Sequence, residues 1–240
     1  MKVNLLNFNS PIFIAEIGMN YNNNFDLCFE MIKQAKNSGA NFAKFQLGWR
    51  DKEGEINQIS EEKIALLHDW GEYFDINILF SIISEDAFKK IVKFNPKFLK
   101  IASRTIKDNP NLSKNLLDVG VPTFCSLGMW NESKPPYDLN DQNNLFYLWC
   151  KSKYPCHPID MVDLPKTFSN TIYTGYSDHT IGIETCLIAL SRGAAIIEKH
   201  FTLDKSENII RDHSLSATPN EFKNLVEIGT DIYKKIKLGV

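Results

Sequence analysis

Short apolar runs recur along the chain, and each is followed by a stretch in which apolar residues return at helical spacing. Near-continuous apolarity is typical of parallel strands covered on both faces, and a period near 3.6 residues is typical of the helices that connect them. The strand-like runs are Ile12-Gly18, Phe42-Leu47, Ile78-Ile83, Phe98-Ser103, Thr123-Gly128, Leu145-Lys151, Ile172-Ser177 and Ala195-His200. Eight such units favour a closed α/β fold, a (β/α)8 TIM barrel, as one domain over residues 1–240.

The stretches between the runs differ in how clearly they show the helical period. The clearest are Asp26-Ser38, Glu61-Phe74, Glu85-Phe94, Ile181-Arg192 and Pro219-Lys235. Thr218, with Glu221 three residues on, is a capping-box pattern that predicts the start of the last helix, and Ser60 is the expected N-cap of the second. The polar stretch Asn131-Asn144 has no helical period, so we expect the helix after the fifth strand to be truncated or absent.

Composition argues against some classes of protein but does not indicate which reaction or ligand the chain serves. Charged residues make up 23% of the chain and the formal net charge is -2, which gives no electrostatic reason to expect nucleic acid. The longest apolar runs are far shorter than a bilayer span and the first residues lack an apolar signal core, so we expect a cytoplasmic protein with no membrane contact. The 5 cysteines are scattered without close pairs and are expected to be reduced.

Polar residues cluster where the predicted strands end, which is the functional end of such a barrel. Charged residues inside strands are costly to bury unpaired, so Lys44, Lys100, Glu198 and Lys199 need partners, ligands or water there. Because side chains alternate along a strand, either Glu198 and His200 or Lys199 can point into the barrel, but not both sets.

Two histidines end consecutive strands. Taken alone, a strand-end histidine is as often structural as functional, but neighbouring parallel backbones lie only about 5 Å apart. His179 and His200 could therefore reach one metal ion, and Mn²⁺, Mg²⁺, Zn²⁺ and Fe²⁺ all remain open. His68 and His157 are interpreted as structural or exposed, and His213 is left unassigned.

A second group of strand-end residues could hold a small anion. Lys44 and Lys100 add positive charge, and serine hydroxyls add donors, which together suit a phosphate and a carboxylate. The serines are Ser103, Ser126, Ser152 and Ser177. Glu16 could position or deprotonate a polyhydroxylated substrate, or it could pair with a lysine or cap a helix.

At these residues the chain resembles the sialic acid synthase family of phosphoenolpyruvate-condensing enzymes, which make nine-carbon sugar acids. The matching segments run in order from about residue 12 to residue 222 and cover nearly the whole chain. They are FIAEIGMNYNNNFD, AKFQ, FLKIAS, SLGM, CKSKYP, GYSDHTIGIE, IIEKHFTLD and RDHSLSATPNEF.

Transferred position by position, the resemblance implies a divalent ion, Mn²⁺ or Mg²⁺, held by His179 and His200. It implies Glu16, Lys100 and Tyr154 as catalytic residues. It also implies substrate contacts at Lys44, Ser103, Ser126, Ser152, Ser177 and Asp212. In the family reaction, phosphoenolpyruvate condenses with an N-acetylated amino sugar or related aldose to give a nonulosonic acid and phosphate.

The chain departs from the family pattern in three places. Arg104 and Thr105 stand where the family usually has a small residue and an acid, and Leu127 stands where it usually has threonine. The family usually adds a small C-terminal domain, resembling antifreeze protein, that covers the partner's barrel in a homodimer. This chain ends at Val240, so we expect a barrel that lacks this domain. The resemblance implies a homodimer, and a lid could come from a separate protein.

Three hypotheses follow. The first is a metal-dependent synthase with the chemistry above. The second is aldolase-type or other carbonyl chemistry at the same metal site, suggested by the missing acid. The third is a non-catalytic anion-binding subunit that needs a partner lid and purifies in a complex.

Overall fold

The computed structural model describes residues 7–139 and 144–239, and within them the strands close into a parallel barrel in sequence order. The strands are β1 Ile12–Gly18, β2 Phe42–Leu47, β3 Asn77–Ile82, β4 Leu99–Ile101, β5 Thr123–Ser126, β6 Leu145–Cys150, β7 Tyr173–Asp178 and β8 Ile196–His200. β8 pairs with β1, which completes the closure. The predicted (β/α)8 fold is confirmed.

Helices fill most of the crossovers. They are α1 Leu27–Asn37, α2 Glu61–Tyr73, α3 Glu85–Ile91, α4 Ser103–Asp108, α5 Pro110–Asp118, α6 Glu184–Ser191 and α7 Pro219–Leu238. The expected capping box at the start of α7 is present, and the Ser60 side chain accepts a hydrogen bond from the backbone of Lys63 as the N-cap of α2.

Two crossovers lack an α-helix. After β5, no helix occurs among residues 127–139 and 144, as predicted; residues 140–143 of the predicted polar loop lie outside the described part of the chain. After β6 there is only a 3₁₀ turn at Pro158–Met161, which the hydrophobic pattern did not indicate. The expectation of a helical stretch after the sixth strand was therefore wrong.

Most element boundaries differ from the predictions by one to three residues, and two of these differences have a clear local cause. β4 ends at Ile101 rather than at Ser103, because the chain turns there and Ser103 begins α4. α6 begins at Glu184 rather than at Ile181, because Gly182 has a φ of 83° and cannot continue a right-handed helix.

The barrel interior is layered, and the layers position the site. A cluster of buried apolar side chains fills the amino-terminal half: Ile12, Ile14, Phe42, Leu79, Phe124, Leu148 and Ile196. One two-residue step further along these strands, the inward positions become polar, as in Ile14 to Glu16, Phe42 to Lys44 and Ile196 to Glu198. The apolar layer is thus a floor beneath a polar cavity. No helix in the described residues is long and apolar enough to cross a membrane.

Candidate active site

A cavity of about 650 Å³ opens at the carboxyl end of the barrel. This is the size of an ordinary small-molecule site. The structure brings all the sequence-predicted site residues into its lining: Glu16, Lys44, Lys100, Ser103, Ser126, Ser152, Tyr154, Ser177, His179, His200 and Asp212.

Lys44 lies deep in this cavity between two carboxylates. Its Nζ is 2.7 Å from Oε2 of Glu16 and 3.5 Å from Oε2 of Glu198. It also donates a hydrogen bond of 3.0 Å to Oγ of Ser81. The prediction that this buried lysine needs partners is confirmed, and Glu16 is one of them.

Lys100 approaches the same glutamate from the other side. Its Nζ is 3.8 Å from Oε1 of Glu198 and donates to Oγ of Ser126 at 2.8 Å. Ser177 donates to Oε1 of Glu198 at 2.8 Å. Glu198 therefore links the two lysines, and we call Lys44, Lys100 and Glu198 the lysine cradle.

Burial and ion pairing shift the pKa values of the cradle residues in opposite directions. Burial lowers the pKa of Lys44, but Glu16 and Glu198 outweigh it and leave the pKa above its ordinary value. At Lys100 burial prevails and the pKa is lowered. Burial raises the pKa of Glu198, yet the ammonium groups of Lys100 and Lys44 hold it below its ordinary value. Glu198 therefore lies between the two ammonium groups, and a second carboxylate, Glu16, lies beside Lys44.

The two predicted metal histidines are neighbours, with ring centroids 5.4 Å apart. Nδ1 of His179 is 2.8 Å from the carbonyl oxygen of Lys151, which places the proton on Nδ1 and leaves the lone pair on Nε2. Nδ1 of His200 is buried without a hydrogen-bond partner and lies 3.9 Å from Oδ2 of Asp212. Burial lowers the pKa of His200, which favours the neutral form that binds metals.

These donors fit a divalent ion held by two imidazoles. Among the described residues, no three His, Cys, Asp or Glu side chains are arranged to hold a metal ion. The protein would therefore contribute two nitrogen ligands, and water and substrate oxygens would complete the coordination.

Tyr154 packs beside the histidines. Its ring centroid is 4.1 Å from that of His179 and 6.2 Å from that of His200. The guanidinium of Arg211 lies 4.4 Å from the Tyr154 ring centroid, and its Nε is 3.3 Å from Oδ1 of Asp212. Burial raises the pKa of Tyr154 well above its ordinary value, so the phenol keeps its proton.

Lys199 faces away from the cavity, as the alternation along β8 requires once Glu198 and His200 point inward. Its ammonium is 2.5 Å from Oδ2 of Asp178 and donates to the carbonyl of Thr180, and both charged side chains are fully buried. The pair lies between the barrel and its helices and is structural.

The remaining histidines lie outside the cavity. His213 is buried between Oγ1 of Thr202 at 2.7 Å and Oδ1 of Asn22 at 2.8 Å. His68 lies against Phe80 and Phe94, as predicted for a structural residue.

Of the three residues that depart from the family pattern, only Arg104 lines the cavity. Thr105 is buried and donates to the carbonyl of Ile82 at 3.2 Å, outside the cavity lining. Leu127 is buried in the apolar core. Arg104 is exposed at the mouth of the cavity and lines it.

Sequence reasoning missed several lining residues. Cys150, for which the sequence analysis predicts only a reduced thiol, has its Sγ 3.6 Å from Nδ1 of His179 and 3.9 Å from Oγ of Ser152. Burial raises the pKa of this thiol, but His179 and Lys100 bring it below its ordinary value. Counting by two along β6 from the floor residue Leu148 would have found it. Trp49 and Arg50 follow β2 in a loop, where no periodic signal could have assigned them.

Comparisons with known proteins give a consistent set of relatives. A model of the NeuB family matches residues 54–239. An N,N'-diacetyllegionaminic acid synthase of Legionella pneumophila is 32% identical, over 89% of this chain and 70% of its own length. The human N-acetylneuraminate-9-phosphate synthase is 31% identical, over 90% of this chain and 68% of its own. A crystal structure of an N-acetylneuraminic acid synthetase of Leptospira borgpetersenii, in complex with citrate, superimposes with a TM-score of 0.84 at 28% identity and covers 95% of this chain and 86% of that one.

Proposed function

The chain belongs to the NeuB family, and we propose that it condenses phosphoenolpyruvate with an N-acetylated amino sugar or a related aldose, giving a sialic-acid-like sugar acid and phosphate. The observation that carries this proposal is the convergence of the lysine cradle and the imidazole pair in one cavity. A reaction that joins an anionic phosphoester to an aldehyde needs both kinds of group close together.

In the proposed reaction, C3 of phosphoenolpyruvate attacks the aldehyde carbon, water adds at C2, and phosphate leaves. Lys44 and Lys100 hold the phosphate and carboxylate, with donors from Ser103, Ser126, Ser152 and Ser177. A divalent ion bound by His179 and His200 would supply Lewis-acid polarisation of the aldehyde oxygen.

The acceptor sugar is proposed to lie above the imidazole pair. Glu16 and Asp212 are both close enough to His200 for their charges to raise the pKa of its imidazole, against the effect of burial. They are suited to orient sugar hydroxyls, because ionised carboxylates accept hydrogen bonds from them. Tyr154 keeps its proton and can donate to a substrate oxygen.

Charge supports the binding of anions here. The lining holds Lys44, Lys100, Arg50, Arg104 and Arg211 against Glu16, Glu198 and Asp212, a balance of +2 in a chain whose formal net charge is -2. A cavity of opposite sign to the rest of the molecule concentrates anionic ligands at its mouth.

A second candidate is aldolase-type chemistry at the same metal site, and one observation favours it. Thr105 stands where the resemblance leads us to expect an acid, and it contributes no group to the cavity. A reaction without water addition and phosphate loss would not need that acid.

Phosphate release by the purified protein tests the proposal. With Mn²⁺, phosphoenolpyruvate and a panel of aldoses that includes N-acetylmannosamine, we expect phosphate to appear together with a new sugar acid, identified by mass. Metal-dependent turnover of a keto acid without phosphate release would favour the aldolase. Tight phosphoenolpyruvate binding with no turnover of either kind would point to a non-catalytic subunit.

A further inference from the structure

Two arginines at the mouth of the cavity have charge that the protein does not neutralise. Arg50 and Arg104 both line the cavity and are exposed. Within the described residues neither has a carboxylate within ion-pair distance. Arg211, the third arginine of the lining, differs because it pairs with Asp212 at 3.3 Å.

The loop that presents Arg50 is fixed by a buried asparagine. Asn57 is 1% exposed, and its side-chain amide donates to the carbonyls of Gln46 at 3.0 Å and Trp49 at 2.8 Å. Its backbone N–H donates to the carbonyl of Arg50 at 3.0 Å. The chain leaves β2 through Gly48, whose φ of 85° and contact with Ser84 leave no room for a side chain. The backbone that carries Trp49 and Arg50 is therefore held in place at the mouth.

Arg104 lies at the same opening, beside this loop. It directly follows Ser103, whose Oγ accepts a hydrogen bond of 3.0 Å from the backbone of Gly128. Its guanidinium carbon lies 5.3 Å from the Trp49 ring centroid. A guanidinium over an aromatic ring keeps its edge N–H groups available for a planar or tetrahedral anion.

The mouth and the lysine cradle lie at different depths. Lys44 and Lys100 are 3% and 2% exposed and are already paired with carboxylates. Arg50 and Arg104 are exposed and unpaired. One anionic substrate at the cradle therefore leaves the arginines without a partner, and the cavity of about 650 Å³ has room for a second small molecule above it.

We infer that Arg50 and Arg104 form an anion subsite for a phosphate or carboxylate group on the acceptor sugar, at the end remote from its aldehyde. This inference rests on the proposed function, since it assigns the acceptor of that reaction to the class of anionic aldoses. Arginine suits the role because its planar fork binds phosphate and carboxylate through paired hydrogen bonds.

The experiment compares three acceptors under the phosphate-release assay: N-acetylmannosamine, its 6-phosphate, and the corresponding uronic acid. The test variant is Arg50→Gln with Arg104→Gln. The matched control is Lys107→Gln, which removes an exposed positive charge on α4 outside the cavity lining. We expect the wild type to favour an anionic acceptor over the neutral sugar. Comparison of the 6-phosphate with the uronic acid then shows whether the subsite prefers a phosphate or a carboxylate.

In the double variant, the ratio of kcat/KM for the anionic acceptor to that for the neutral one should fall roughly 10- to 100-fold, the range for losing charged hydrogen bonds. The Lys107→Gln protein should keep the wild-type ratio. A wild type that prefers the neutral sugar, or an unchanged ratio in the double variant, would overturn the subsite.

Calorimetry separates this inference from the proposed function. If no acceptor supports phosphate release, the affinities of the three sugars for the wild-type and double-variant proteins still test whether the arginine subsite exists. Tighter binding of an anionic sugar that is lost in the double variant would support the subsite although the proposed reaction has failed. Equal binding of neutral and anionic sugars would overturn the subsite.

Discussion

Lys100 and Lys199 are both buried in the barrel strands, but their surroundings assign them different roles. Lys100 faces the cavity, where its nearest carboxylate oxygen, on Glu198, is 3.8 Å away. Lys199 faces the helices and contacts Asp178 at 2.5 Å. A buried ion pair that loses one member leaves an uncompensated charge, whereas a charge at a cavity wall can be reached by water or a ligand.

Lys199→Met should destabilise the fold by about 3–5 kcal/mol near neutral pH, because Asp178 would remain buried without its cation. In the wild type, burial raises the pKa of Asp178, but Lys199 and hydrogen bonds from Tyr176 and Thr180 hold it below its ordinary value. That stabilisation is present above the unfolded pKa of about 3.9 and is lost as pH falls through the folded pKa.

In the variant, burial should raise the folded pKa of Asp178 above about 3.9, so the free energy of unfolding should decrease as pH rises from about 4 to about 6. The wild type should show no such decrease from this residue. Urea unfolding at several pH values measures both curves, with the exposed Lys89→Met as the control. Parallel curves for the Lys199→Met and wild-type proteins would contradict the assignment.

Lys100→Met should weaken phosphoenolpyruvate binding, because it removes one of the two cations of the lysine cradle. Calorimetric titration measures the affinity, and urea unfolding should show that the variant folds. An unchanged affinity would remove Lys100 from the site.

His179→Ala and His200→Ala should each abolish Mn²⁺ binding and change the free energy of unfolding by no more than about 1 kcal/mol. The reason is that strand-end side chains in a barrel add little to its core. Metal titration followed by calorimetry and thermal unfolding measure the two effects. Global unfolding of either variant would indicate a structural role for that histidine.

At the residue scale, side-chain alternation was the informative signal. It predicted that Glu198 and His200 share a face that Lys199 does not, and the cavity lining confirms it. It could not predict that Glu198 links Lys44 to Lys100, because that contact joins three strands whose relative height only barrel closure sets.

At the scale of the elements, α7 begins with a complete capping box. Oε2 of Glu221 accepts from the backbone of Thr218 at 2.8 Å, and Oγ1 of Thr218 accepts from the backbone of Glu221 at 3.4 Å. Pro219 at the first helical position needs no donor partner. The helix packs against α6 and α1 and so covers the strands that close the barrel.

Thr218→Ala should reduce the free energy of unfolding by about 1 kcal/mol, since it leaves a backbone donor at the helix start without its acceptor. The matched control is Thr230→Ala in the same helix, where the substitution removes no cap and slightly favours the helix. Chemical unfolding of both variants measures the difference. Equal stability of the two would show that the capping box contributes nothing.

Crossovers were predictable only where a helix shows an amphipathic period. The absence of one in Asn131-Asn144 predicted the missing helix after β5, and none occurs among the described residues there, 127–139 and 144. The residues after β6 form a chain of turns tied by local contacts, such as the His157 backbone donating to Asp160 at 2.9 Å. Turns of this kind have no period, so hydrophobic spacing could not distinguish them from a short helix.

At the scale of the whole molecule, the distribution of charge separates the cavity from the rest of the surface. The lining has a balance of +2, while the chain as a whole has -2. The pairs inside the lysine cradle are buried and weakly screened, but the guanidinium groups at the mouth are open to solvent and therefore sensitive to salt. The net charge can be counted from the sequence, but the sequence does not show that five of the lysine and arginine side chains line one cavity.

Raising the salt concentration from about 0.05 M to about 0.5 M should weaken phosphoenolpyruvate binding severalfold, because the Debye length shortens about threefold over this range and the charges at the mouth are screened. Calorimetric titration in KCl at fixed Mn²⁺ measures the effect, and the Arg50→Gln, Arg104→Gln protein should show a smaller dependence on salt. The free energy of unfolding should change little over the same range, since the ion pairs of the core are buried. An affinity for phosphoenolpyruvate that is independent of salt would mean that the lysine cradle alone attracts the ligand and that the charge at the mouth has no part in its capture.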